Sequence, residues 1–174
     1  IIDDGSNSRL KWKDENTIFL RNGNNCGKGF SLLRGFNEAI DRGYTHAITM
    51  DADSQHNPNV LESFIEINKN TTVVLGYREF NRDMPFHRRI SNKLTSSIIS
   101  YICDKTIFDS QCGYRRYKLT NVCSETYTEK GFQFESEVLI KLLSKNCTMY
   151  QLPIPTIYTH NISSISNFID TIKF

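Results

Sequence analysis

No CxxC pair occurs among the five cysteines, Cys26, Cys103, Cys112, Cys123 and Cys147, and their number is odd. A disulfide framework is thereby disfavoured, and reduced thiols in a cytosolic setting fit better. No apolar run approaches the roughly 20 residues that a membrane-spanning helix needs, and no signal-peptide pattern is visible. Charge of one sign is not in excess either. Lys and Arg total 21 against 19 Asp and Glu, and a net charge of +2 is too small to argue for a nucleic-acid partner. Repeats and low-complexity linkers are lacking. So is an initiating Met: the chain opens on "IIDDGS", inside what reads as a strand, which is the pattern of a fragment.

What is present is ordinary globular material, 39% hydrophobic and 23% charged over 174 residues, enough for one domain with a real core. Strands are expected at 1–4, 17–22, 45–51 and 72–78, an extended segment at 109–118, and a closing strand, broken by two prolines, at 148–158. Helices are expected at 27–44, 58–68, 88–104 and 134–146. In the third of these Ile90, Leu94, Ile98 and Ile102 share one face. Alternating strands and helices with continuous apolar strands predict an α/β fold with a mostly parallel sheet. The loop 79–87, "EFNRDMPFH", is expected to form a flap. Ligands of open α/β sheets bind beyond the carboxyl ends of the strands. Three chemically loaded segments stand at such ends: Asp3-Asp4, Asp51-Ala52-Asp53 and Gly76-Tyr77-Arg78.

Asp51 and Asp53 lie two apart, which in an extended chain puts both on one face. Two close carboxylates repel unless a cation lies between them. Mg²⁺ or Mn²⁺ takes one or two carboxylates and completes its shell with water and phosphate. A metal set of Asp51, Asp53 and Gln55 holding a diphosphate is therefore expected. A calcium loop beginning at Asp51 would place Asp53, Gln55 and Glu62 at liganding positions. It fails because His56 stands where the sharp turn needs Gly, and because a strand precedes it. The plain alternative is a solvated loop end whose Asp caps the next helix.

Seven segments occur in order: "DDGS" at 3–6, "NNCGKGFSLLRGFNEA" at 24–39, "MDADSQHNP" at 50–58, "GYR" at 76–78, "RRISNKL" at 88–94, "DSQCGYRRY" at 109–117 and "GFQFESEVL" at 131–139. Together they resemble the family 2 glycosyltransferases of GT-A fold, most of all the dolichyl-phosphate mannosyltransferase and polyprenyl-phosphate glucosyltransferase group. The resemblance covers nearly the whole chain. It implies one catalytic domain over residues 1–174 with the first strand, its "P-x-Y-N-E" turn and the following helix missing from the N-terminus. Asp3 and Asp4 would, by the same resemblance, accept hydrogen bonds from a nucleotide base. The alternative for them is an Asx turn with Gly5 and Ser6.

Gly27-Lys28-Gly29 opens a helix, where free N–H groups and the dipole favour anions. Lys28 is a candidate for the nucleotide sugar, with a solvated lysine as its rival. Arg78, Arg88, Arg89 and Arg115 are candidate phosphate ligands, because guanidinium groups fork onto phosphate oxygens. Arg88 and Arg89 open a helix against its dipole, which suggests a purpose other than helix stability. Arg115, inside the tightest motif, is the strongest candidate, and a surface position is an equal reading of Arg116. The resemblance puts an acidic residue of "FQFESEVL" near the reacting centre: Glu137 is preferred over Glu135, with a solvated helix face as the alternative for each. Gly113 is expected to allow close backbone approach, and Cys112 to pack. His56 touches the diphosphate or shapes the loop. His160, Ser163, Ser164 and Ser166 are candidates for a closing C-terminal loop.

The expectation is an inverting hexosyltransferase. Its catalytic residues would be Asp53, Arg115 and Glu137, and its cofactor Mg²⁺ or Mn²⁺. The donor would be a nucleotide-diphosphate sugar of GDP-mannose or UDP-glucose type, and the acceptor a polyprenyl or dolichyl phosphate. Acting on a saccharide hydroxyl instead, or being an inactive nucleotide-binding remnant, are the alternatives. Such an enzyme works in the cytoplasm against the cytosolic face of a membrane, by peripheral contact.

Overall fold

The computed structural model describes residues 1–8, 14–53, 55–78 and 86–155, with the side chains of 86–88 excepted. Residues 79–85 of the expected flap, the His160 and serine cluster, and the Arg88 side chain therefore lie outside the described residues.

Two short parallel strands, β1 (Ile2–Asp3) and β2 (Leu20–Arg21), pair at one side. A second sheet holds β3 (His46–Thr49), β4 (Val73–Arg78), β5 (Arg115–Lys118) and β6 (Met149–Ile154), in the spatial order β3-β5-β4-β6. Strands β4 and β6 run parallel, whereas β5 is antiparallel to both β3 and β4. The sheet is thus mixed rather than mostly parallel. The reason lies in β5, which runs backwards into the gap between two strands that follow each other in sequence.

Strand β4 is buried on both faces, and its alternation divides the core. Val73 and Leu75 face a large cluster with Phe36, Ile99, Tyr117, Leu119, Phe134, Val138, Leu139, Leu142 and Leu143. Val74 faces a smaller one with Phe64, Cys112, Tyr114 and Ile154. The larger cluster is supplied by α1 (Lys28–Asp41), α3 (Phe86–Cys103), the short α4 (Leu119–Val122) and α5 (Phe134–Ser144). Cys112 packs in the smaller one, as expected, and burial pushes its thiol up to about 12.

The expected helix at 58–68 is a 3-10 turn, Pro58–Val60, followed by α2 (Leu61–Glu66). Asn57 caps it through Asn59 N–H, and Pro58 sits where no N–H is needed. Its other end is closed by Arg116, which is buried rather than a surface residue. The Arg116 guanidinium donates to Phe64 O, Ile67 O and Asn68 O at 2.7–2.8 Å. These carbonyls have no partner inside the helix, so a cation there satisfies both valence and dipole. Arg116→Ala is expected to destabilise the fold by about 2–4 kcal/mol, read as a lowered urea midpoint with an unchanged m-value.

Candidate functional site

Three segments far apart in sequence meet beyond the end of β3. The Lys28 ammonium, at the first residue of α1, lies 2.8 Å from Asp51 Oδ1 and 2.5 Å from Glu135 Oε2. Burial works against its charge, but Glu135 and Asp51 outweigh this and hold its pKa above the ordinary lysine value. Burial likewise opposes the Asp51 carboxylate, while His56 and Lys28 hold it well below the usual carboxylate range. His56 Nε2 stands 3.9 Å from Asp51 Oδ2. The His56 Nδ1, the Glu135 Oε1 and the Tyr114 hydroxyl are buried without a hydrogen-bond partner.

Local chemistry explains why Asp51 sits there. Thr49 Oγ1 donates to Gly113 O at 2.9 Å, tying the end of β3 to the segment entering β5. The carboxylate then lies directly on Gly113: a Cβ there would meet Asp51 Oδ2 at 2.3 Å. The close approach expected of Gly113 is made by Asp51. Gly27, which precedes the first residue of α1, has φ of 96°, and a Cβ at that position would be 2.3 Å from Lys130 O. That carbonyl accepts from Gly29 N–H and Phe30 N–H, so two of the N–H groups assigned to an anion are already bonded. The loop before α5 thus docks on the start of α1 and brings Glu135 against Lys28.

Several expected site residues fall elsewhere. Asp53 is exposed on the bend, its Oδ1 accepting from Gln55 N–H at 3.0 Å. Asp51 and Asp53 therefore do not share a strand face, because β3 has already ended at Thr49. Arg115 is fully buried. Its guanidinium donates to Cys112 O, Ser110 O, Glu135 O and the Tyr117 hydroxyl. It is the internal brace that fixes the 110–112 turn and α5, and burial of its donors leaves none facing a ligand. Glu137, two residues and about 200° round the helix from Glu135, points away from Lys28. Its carboxylate accepts from Thr128 N–H, Glu129 N–H and Thr128 Oγ1, and pairs with Lys141 at 2.7 Å. The acidic residue brought to the cluster is Glu135.

Asp3 is buried and closes the Asx turn, accepting from Ser6 N–H at 2.9 Å while its other oxygen pairs with Arg21. Asp4 accepts from Asn22 Nδ2, Cys26 N–H and Gly27 N–H at 2.7–2.9 Å, which ties β1 to the turn before α1. Both carboxylates of the pair are engaged inside the protein. Arg78 forks onto the buried Asp109, with Nε 2.7 Å from Oδ2 and Nη2 3.1 Å from Oδ1. Arg89 sits half-buried in the first turn of α3. Asn22 and Arg34 had no signal in the sequence. Asn22 bonds Asp4 and Ser31, and Arg34 donates to Asn22 Oδ1 and Arg21 O.

Among the described residues no group of three or more His, Cys, Asp or Glu side chains is arranged to hold a metal ion. The donors at the strand end are two hard carboxylates, Asp51 and Asp53. That set is short of a protein-built cage but fits a small divalent ion whose other ligands are phosphate and water.

The fold has known counterparts. A crystal structure of glucosyl-3-phosphoglycerate synthase from Mycobacterium tuberculosis superposes with a TM-score of 0.63 at 13% identity, covering 84% of this chain and 52% of that one. The same enzyme in complex with Mn²⁺, uridine diphosphate and phosphoglyceric acid superposes at 0.60 and 12% identity, covering 78% of this chain and 47% of that one. These define the fold as GT-A, the architecture of nucleotide-diphospho-sugar transferases. The sequence profile of "Glycosyl transferase family 2" matches residues 1–128, and the chain belongs to that family.

Among curated relatives, the UDP-N-acetylglucosamine--dolichyl-phosphate N-acetylglucosaminyltransferase of Methanococcus voltae is 31% identical over 150 residues, 82% of this chain and 60% of that protein. The polyprenol monophosphomannose synthase of Mycolicibacterium smegmatis is 24% identical over 137 residues, covering 74% and 52%. The chain thus spans between half and three fifths of the length of these two relatives.

Removing the ammonium tests the electrostatics of the cluster. The depressed Asp51 contributes stability that is complete above its unfolded pKa of about 3.9 and is lost as pH falls toward the folded value. The raised Lys28 contributes stability that is complete below its unfolded pKa of about 10.4 and is lost as pH rises through the folded value. The stability difference between the protein and Lys28→Met should therefore be level across neutral pH and shrink at both extremes, as measured by denaturant unfolding at fixed pH.

Proposed function

We propose that the protein transfers a sugar, with inversion, from a nucleotide-diphosphate donor to a polyprenyl or dolichyl phosphate, assisted by Mg²⁺ or Mn²⁺. The observation that carries the reading is Asp51, held at a strand end against Lys28 and Glu135, in a family 2 chain whose relatives are named for lipid-phosphate acceptors. A uridine nucleotide is the first donor to test. Both the Methanococcus relative and one of the two mycobacterial structures carry UDP in their names.

The chemistry asks little of a base. A phosphate monoester has a second pKa near 6, so the acceptor oxygen is already anionic at neutral pH. That oxygen attacks the anomeric carbon from the face opposite the donor's phosphate, and the nucleoside diphosphate leaves with the bonding pair. A divalent ion bound by Asp51 and Asp53 would neutralise charge developing on the leaving diphosphate. Lys28 brings a positive charge to the same place, between Asp51 and Glu135, and holds the Asp51 carboxylate ionised. Glu135, with one oxygen free of hydrogen bonds, is the group to orient a hydroxyl of the donor sugar. Arg115 supports it from behind, through Glu135 O.

The test is a screen of nucleotide sugars with and without Mn²⁺, offering lipid phosphate and saccharide acceptors side by side. Turnover only on the saccharide would sink the acceptor assignment. Asp53→Ala should abolish metal-dependent turnover, and activity surviving that change would remove the metal from the mechanism. Glu135→Gln keeps the shape but lowers kcat by about 10- to 100-fold, whereas Glu137→Gln lowers thermal stability with kcat nearly unchanged.

A further inference from the structure

Helix α3 is turned opposite to its own amphipathy. The side chains it buries include Thr95, Ser96, Ile99 and Cys103. Its inward serines hydrogen-bond to the following segment: Ser96 Oγ to the Ser110 hydroxyl, and Ser100 Oγ, half-buried, with Ile107 N–H. The side chains it turns outward are Ile90, Leu94, Ile98, Tyr101 and Ile102, each about half exposed or more, with Tyr101 at 90%. Phe108, just beyond the helix, is exposed as well. The spacing of four puts Ile90, Leu94, Ile98 and Ile102 in one stripe about 18 Å long. This stripe is exposed, while Ile99 and Cys103 make the helix's contact with the apolar core and Ser96 and Ser100 bond the segment that follows it. A continuous apolar stripe of this kind marks a contact surface.

We propose that this face of α3 is where the protein lies on an anionic lipid bilayer, the helix resting in the plane of the interface. Two observations choose the occupant. First, the stretch 86–105 carries Arg88, Arg89, Lys93 and Lys105 against a single acidic residue, Asp104. Apolar residues flanked by cations are the pattern of an in-plane helix on anionic lipid. Second, the stripe is flanked by an aromatic side chain, Tyr101, of the type that sits at the head-group level. Helix α3 is the element that follows β4, whose last residue, Arg78, stands at a carboxyl strand end. The proposal rests on the lipid-phosphate reading of the acceptor and names the surface by which that acceptor is reached.

The experiment uses the full polypeptide carrying these residues, with vesicles of phosphatidylcholine alone or with phosphatidylglycerol, free of polyprenyl phosphate. The protein should co-sediment with the anionic vesicles. The triple variant Leu94→Ser, Ile98→Ser, Tyr101→Ser should lose at least about tenfold in partitioning, and so should the double variant Lys93→Glu, Lys105→Glu. Both should unfold at the parent temperature or above 45 °C on the order of mesophilic domains, and both should turn over a water-soluble short-chain prenyl phosphate at the parent rate while losing activity on long-chain acceptor in vesicles. Variants that bind vesicles like the parent would overturn the proposal. So would a parent that binds no vesicle, and a fall from dimer to monomer in the triple variant would then assign the face to a second copy. If no prenyl phosphate is turned over, the acceptor reading fails, and vesicle binding still decides the face by itself.

Discussion

One ammonium group holds the candidate site together. Lys28 Nζ lies between Asp51 and Glu135, and so joins the first residue of α1, the bend after β3 and the first turn of α5. Two carboxylates that close, largely out of water, would force one of them to take up a proton without a cation between them. The loop 128–131 has to reach the start of α1 for this to happen, and it does so by giving Lys130 O to Gly29 and Phe30. Gly113 has to lack a side chain for Asp51 to rest on the backbone before β5. The charge pattern and the two close approaches therefore depend on one another.

Around this cluster the remaining polar residues serve as braces. Arg115, Arg116 and Arg78 look alike in sequence but answer to three different demands. Arg115 satisfies carbonyls of an irregular turn and of α5, Arg116 closes α2, and Arg78 pairs with the buried Asp109. A guanidinium has five donors, and a buried carbonyl without a partner is costly, so irregular backbone next to a binding face collects arginines. Their presence beside a phosphate-binding fold is no evidence that they touch phosphate.

The elements themselves were largely legible. The periodicity of α1 and α5 and the apolar run of β4 depend on neighbours in sequence, and the structure has each of them where the pattern put it. The strand-end position of Asp51 was legible for the same reason, since an apolar run ending on a charge is a local signal. The choice of Glu135 over Glu137 was not. Two acidic residues two apart on a helix look equivalent until a partner such as Lys28 is placed on one side and Lys141 with the 128–129 backbone on the other.

The amino-acid sequence by itself determined that this is an α/β chain with chemistry at its strand ends, and, through seven ordered motifs, the family to which it belongs. Helical and strand periods and turn residues act over a few positions, so they survive in a one-dimensional reading. The tertiary structure alone decided that β5 enters the sheet backwards, that Arg115 faces the interior and that the apolar stripe of α3 faces out. Each of these depends on which long-range neighbour fills the space beside a residue, a competition between burial and hydrogen bonding that no local pattern records.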